Sequence, residues 1–316
     1  MPPAAPPSFL AVVGATATGK SRLAMALAER LGGEIVNADA LQVYRGFDIG
    51  TAKPEPAERE RVRHHLIDVL DPDERYSAGE FARRARAAIA DVRGRGGLPI
   101  VVGGSGLYLR ALISGISPIP PGDPAVREQL RERLEAEGLP ALAAELARRD
   151  PETAARLAPG DTQRVLRALE VAAVTGRPLS AWIARQPFGK ERTSAIAVGL
   201  TLPRALLYDE IAGRVARMLE RGWVREVESL LGRGLDPSLP AFQAIGYRQL
   251  VLHVQGEWSL DRAASDTIQA TRRFAKRQET WFRKEPVTWF AALAPEERFQ
   301  RVLDHVQQSG VGRANA

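Results

Sequence analysis

Gly14-Ala15-Thr16-Ala17-Thr18-Gly19-Lys20-Ser21 decides the fold. This is a complete G-x-x-x-x-G-K-[ST] phosphate loop, set between the apolar run at 9–13 and an amphipathic stretch that begins at Lys20. The motif requires strand, loop and helix in that order, and the order is present. Its glycines let the loop curl so that successive backbone N–H groups face phosphate oxygens, Lys20 supplies a cation, and the Ser21 hydroxyl suits Mg²⁺. The loop alone leaves open whether the phosphates belong to a nucleotide.

Outward from the loop, strand patterns at 9–13, 34–37, 99–102 and 195–200 alternate with helical ones. That alternation predicts an α/β fold, a P-loop NTPase-like parallel sheet flanked by helices. Between 118 and 192 the texture changes. Pro118, Pro120, Pro121 and Gly122 make a stiff connector, a wholly helical stretch runs from 124 to about 184, and the strand pattern resumes at Ser194. The expected organisation is a core of 1–120 and 193–316 with an all-helical subdomain inserted at 121–192.

The 316 residues, 45% apolar and 26% charged, can bury a substantial core. There is no cysteine, which excludes thiol redox chemistry and cysteine-ligated metal. The proline-rich start reads as a frayed tail and not a signal peptide, and no window approaches a membrane span, so a cytoplasmic address is expected. The net charge of +6 suits a polyanionic partner, although many arginines alternate with glutamates on helices. The charge is concentrated at 271–284, where Arg272, Arg273, Lys276, Arg277, Arg283 and Lys284 meet one acid and are interleaved with Phe274, Trp281 and Phe282. That composition fits a surface contacting phosphate backbone, or equally an amphipathic helix with its aromatics in the core.

Ligands of open α/β sheets lie beyond the carboxyl ends of the strands, so Asp39, just past the second strand, should face the same crevice as the loop. There it could serve as a Mg²⁺ partner, a general base or a turn cap. After the third strand, Gly103 and Gly104 permit close approach of a ligand and Ser105 adds a hydroxyl, or else the segment is a turn with a helix N-cap. The four histidines show no metal-ligand spacing, and the pair His64-His65 reads as a strand entry with one ring buried.

Several segments together resemble the tRNA dimethylallyltransferases, also called tRNA isopentenyltransferases. They are the loop, the run Asp39-Ala40-Leu41-Gln42-Val43-Tyr44-Arg45-Gly46-Phe47-Asp48-Ile49-Gly50-Thr51-Ala52-Lys53, and Gly103-Gly104-Ser105-Gly106-Leu107-Tyr108. They continue through 161–171, Ala244-Ile245-Gly246-Tyr247-Arg248-Gln249 and 271–283. The resemblance implies transfer of a dimethylallyl group from dimethylallyl diphosphate to the exocyclic amine of the adenosine 3′ to a tRNA anticodon, in a monomer that takes Mg²⁺ as cofactor.

By the same resemblance Asp39 is the catalytic base, and Ser105 stands where threonine usually contacts the donor diphosphate. Gly14, Ala15, Thr16, Ala17, Thr18, Gly19, Lys20, Ser21 and Arg214 hold that diphosphate, with Ser21 on the metal. Asp39, Ala40, Leu41, Gln42, Arg127, Gln163, Arg164, Val165, Leu166, Arg167, Arg248, Arg272, Arg273, Lys276 and Arg277 fall to the anticodon stem-loop. Three positions depart from the usual pattern: Ala40 replaces a serine, Arg63 a proline and Gly160 an asparagine. Ala40 removes one possible hydrogen bond beside Asp39. The competing reading of the loop is a small-molecule kinase, which would also need a purine site and an in-line γ-phosphate.

Overall fold

The structure is a computed structural model that describes residues 7–185, 193–291 and 294–311. Most of the proline-rich start, expected to fray, lies outside them. The chain divides into two compact units, Met1–Ile113 with Thr193–Ala316, and Ser114–Arg192.

The first unit is built on a six-stranded sheet of β1 (Phe9–Gly14), β2 (Gly33–Asn37), β3 (His64–His65), β4 (Leu98–Gly103), β5 (Ala195–Leu200) and β6 (Thr288–Phe290). Its strand order is β3-β2-β4-β1-β5-β6 and every pairing is parallel. β1 and β4 are buried along their whole length, as continuous Val, Ile and Leu runs with helices over both faces should be. Helices α1 (Lys20–Leu31) and α13 (Pro295–Gln308) bury Leu23, Leu27, Val302 and Val306 against this sheet. β1 continues through α1 to β2 on one side, whereas β4 leads eventually to β5 on the other side of β1. The carboxyl ends of β1 and β4 therefore flank a topological switch point, where such sheets bind ligands.

The four strands expected from sequence are present to within a residue at each end. The His64-His65 entry is a two-residue edge strand; the His65 side chain is 12% exposed and hydrogen-bonds Glu34, while His64 is half-buried. β6, which periodicity did not reveal, pairs Val198 to Thr288 through Leu200 to Phe290 at the opposite edge.

A second core of this unit gathers around Phe47, Trp223, Phe242 and Tyr247. It joins the 43–54 segment to α10 (Trp223–Gly232) and α11 (Tyr247–Val254). The other unit is helical: α5 (Pro124–Arg149), α6 (Pro151–Arg156), α7 (Thr162–Thr175) and α8 (Leu179–Arg185). Its small core contains Leu130, Leu142, Leu146, Val165 and Leu169. Asp123, Asp150 and Asp161 cap the first three helices through side-chain acceptors, and α5 breaks at Gly138 ahead of Pro140.

Candidate active site

A cavity of about 800 Å³ opens at the switch point. Thr16, Ala17, Gly19, Lys20 and Ser21 of the loop line it, with Asn37, Asp39 and Gln42 after β2, Gly103 and Gly104 after β4, and Arg214 of α9 (Arg204–Glu220). Gln278 and Phe274 of α12 (Leu260–Phe282) complete this side.

The loop has the expected curled form. Ala17 adopts a left-handed φ of 65°, the Thr18 hydroxyl donates to the Ala15 carbonyl at 2.9 Å, and Lys20 Nζ folds back onto the same carbonyl at 2.8 Å. α9 and α12 grip the loop from outside, since Ala15 packs with Leu207, Ile211 and Ala275. Gly14 and Ala15 are buried in that support and Thr18 is 3% exposed.

Asp39 is aimed by its neighbours. The Ala38 N–H donates to Val102 at 2.8 Å, and Gly103 admits the Ala38 carbonyl where a Cβ would sit 2.3 Å from it. Buried Asn37 then accepts the Asp39 N–H at 2.9 Å and donates to the Leu66 carbonyl at 2.9 Å, fixing the turn. Asp39 Oδ1 takes the Leu41 N–H at 2.9 Å, so the carboxylate caps its own turn while it lines the cavity. Gln42 donates to the carbonyls of Thr51 and Ala52 and so supports the same wall. Ala40 and Leu41 are half-exposed.

The cavity is cationic in a low-dielectric setting. Burial, together with the Arg214 charge, lowers Lys20 to about 8, while Asp39 pulls in the opposite direction. Burial also depresses Arg214, against the pull of Asp39 and with a further push from Arg217. Two buried cations beside one carboxylate favour an anionic ligand in this cavity.

Ser105 lies half-exposed at the start of α4 (Gly106–Ser114) and is not among the cavity-lining residues. Its carbonyl accepts the Leu109 N–H, as expected at a helix entry.

The candidate RNA contacts separate by exposure. On α12, Arg273, Lys276 and Arg277 are exposed and Phe282 is buried, whereas Arg272 stacks over Tyr208 with its guanidinium 4.7 Å from the ring. Arg248 is exposed at the start of α11. In the helical unit, Gln163 and Arg164 are exposed, with Arg164 paired to Asp161 at 2.6 Å. Val165 and Leu166 pack into the small core. Arg127 and Arg167 both clamp Glu170 at 2.8 Å, which is 1% exposed. Burial would raise the Glu170 pKa, but these two guanidiniums outweigh it and hold the carboxyl below its usual range.

Sequence reading assigned no role to Asn37 or Gln278. Asn37 stood inside a recognised strand end, and Gln278 inside the basic segment, where the adjacent cations dominate the pattern.

An IPP transferase family model matches residues 42–285. The tRNA dimethylallyltransferase of Sorangium cellulosum is 49% identical over 289 residues, 92% of each chain. That of Halorhodospira halophila is 51% identical, covering 87% of this chain and 89% of the relative. The solved full-length tRNA isopentenylpyrophosphate transferase of Bacillus halodurans is 36% identical with a TM-score of 0.69, over 95% of this chain and 96% of that one. A eukaryotic dimethylallyltransferase solved as it acts on tRNA is 27% identical with a TM-score of 0.77, covering 96% of this chain and 79% of that chain.

Proposed function

Since the chain belongs to the IPP transferase family, the tRNA dimethylallyltransferases, we propose that its cavity unites a prenyl diphosphate with an adenine of tRNA. The chain is an enzyme, a prenyl transferase acting on tRNA. The finer reading is that dimethylallyl diphosphate donates to the exocyclic amine of the adenosine 3′ to the anticodon, in a cytoplasmic monomer. One observation carries it: Lys20 and Arg214, both depressed by burial, share a cavity with the Asp39 carboxylate.

The adenine amine is a weak nucleophile because its lone pair is delocalised into the ring. As that nitrogen bonds to C1 of the dimethylallyl group, the C1–O bond to diphosphate breaks and the nitrogen becomes acidic. Asp39 is placed to accept the proton. The leaving diphosphate gathers charge, which Lys20, Arg214 and the loop N–H groups are preorganised to hold. The target base leaves its stack, at a cost of about a few kcal/mol, to reach the cavity. Exposed Arg273, Lys276, Arg277 and Arg248 supply phosphate contacts, joined by Gln163 and Arg164 of the helical unit.

The Ser21 hydroxyl, an oxygen donor lining the cavity, suits Mg²⁺, a hard cation. Among the described residues no group of three His, Cys, Asp or Glu side chains could hold a metal, so most ligands would come from diphosphate oxygens and water. Bound there, Mg²⁺ would offset charge on the departing diphosphate.

The test incubates purified protein and Mg²⁺ with labelled dimethylallyl diphosphate and bulk tRNA, in parallel with γ-labelled ATP. Label entering RNA from the allylic donor is the expected result. Transfer of γ-phosphate to a small molecule would point to a kinase instead, and no transfer in either tube to a binding module.

A further inference from the structure

One side chain ties the phosphate loop to the strand beside it. Gln278 Oε1 accepts the Thr16 N–H at 2.9 Å, and Gln278 Nε2 donates to the Gly104 carbonyl at 3.0 Å. The carboxamide thus bridges the loop after β1 to the turn after β4. Gln278 is 7% exposed, and a Cβ on Gly104 would lie 2.2 Å from Nε2, so the close approach requires glycine there. A primary amide carries an acceptor and a donor on one planar group, which is what an N–H on one side and a carbonyl on the other demand. Three residues earlier on α12, buried Ala275 packs against Ala15 of the loop.

The loop needs this brace. Ala17 occupies a left-handed conformation that disfavours an L residue, and Lys20 and Thr18 both point inward to the single carbonyl of Ala15. Without Gln278 the Thr16 N–H loses its partner, and the segment that aims the remaining N–H groups can rearrange. We propose that Gln278 is a positioning residue for the donor diphosphate: its carboxamide holds the phosphate loop in the shape that binds the anion, without itself contacting the reacting atoms. The inference rests on the reading of this cavity as a prenyl donor site.

The experiment measures calorimetric affinity for inorganic diphosphate with Mg²⁺, and KM and kcat for dimethylallyl diphosphate, in wild type, Gln278→Met and Gln278→Glu. Met keeps the length and removes both hydrogen bonds. Its diphosphate affinity should fall about tenfold and the donor KM rise to match, with kcat within about threefold and anticodon stem-loop affinity unchanged. Glu accepts from Thr16 in either protonation state, but donates to Gly104 only when protonated. Ionised at neutral pH, it should therefore bind diphosphate at least as weakly as the Met variant.

Diphosphate affinity of the Met variant within twofold of wild type overturns the proposal. A deficit confined to the Glu variant also overturns it, since that is charge repulsion without positioning. Should the Met variant fail to fold, Gln278→Asn decides by the same criterion: it is neutral and keeps a carboxamide, but is one methylene too short to span both Thr16 and Gly104. If wild type itself moves no label from dimethylallyl diphosphate into tRNA, the reading of the site fails, a result distinct from any variant effect.

Discussion

Tyr247 donates its hydroxyl to Glu226 at 2.6 Å, and through that carboxylate two distant sequence motifs become one structure. Glu226 also accepts the N–H groups of Asp48 at 3.0 Å, Ile49 at 2.7 Å and Gly50 at 3.4 Å. The Tyr247 ring packs against Phe47 with centroids 4.8 Å apart. Within the same segment, buried Lys53 spans Asp48 at 2.5 Å, Asp68 at 2.7 Å and the Tyr44 carbonyl at 2.7 Å. The run from Asp39 to Lys53 is therefore chiefly scaffold. Its folded loop forms the wall from which Asp39 faces the cavity.

Glu226→Ala should lower unfolding free energy by about 2–4 kcal/mol, because it strands backbone donors and the Tyr247 hydroxyl together. Glu226→Gln, which keeps acceptor capacity, should cost about 1 kcal/mol. Denaturant titration of both checks this; an alanine variant as stable as wild type would mean that water replaces the carboxylate.

Asp39→Asn retains an oxygen for the Leu41 N–H but cannot take a proton. Prenyl transfer should drop by about 10²–10⁴-fold, the range of general-base contributions, while stem-loop affinity stays within about threefold. Single-turnover transfer and filter binding on the same preparation separate the two effects. Near wild-type turnover would remove Asp39 from the base role.

The pH dependence follows from Lys20, which burial lowers to about 8 from an ordinary 10.5. In the free protein its charge is present below about 8 and lost above it. Diphosphate favours the charged form, so kcat/KM for the donor should fall with rising pH above about 8, by up to about tenfold per unit. Bound diphosphate raises the lysine, so the kcat limb should lie higher. Stability without ligand has the opposite sign: between about 8 and 10.5 the unfolded chain binds more protons, so stability rises with pH across that window. A pH profile of kcat/KM without a limb between 7 and 9.5 refutes the assignment.

Replacing Arg273, Lys276 and Arg277 with glutamine should weaken tRNA binding and reduce the slope of log K against log salt by about two to three units. Arg272→Gln should act differently, lowering stability through loss of its stack on Tyr208 with less change in slope. Affinity measured from low to moderate salt reads both. An unaltered slope in the triple variant identifies that face as merely solvated.

The four longer strands are legible because each is a largely aliphatic run next to a turn, buried throughout in β1 and β4 and in the carboxyl-terminal halves of β2 and β5. β3 and β6 have two and three residues. Neither is long enough to show a period, and each exists because a neighbouring strand offers unpaired backbone groups. Asp39 and the loop could be placed at one crevice from strand ends alone. The double clamp on Glu170 could not be read, since Arg127 lies 43 residues from its partner.

By itself, the amino-acid order determined the sheet, the anion-binding loop and the acid that faces it, because hydrophobic period and phosphate-loop chemistry are local properties of consecutive residues. Tertiary structure alone decided which polar side chains hold that site in shape. Gln278 meets Thr16 across 262 residues and Asn37 meets Leu66 across 29. Their hydrogen bonds depend on where folded backbones end, and no local pattern encodes that.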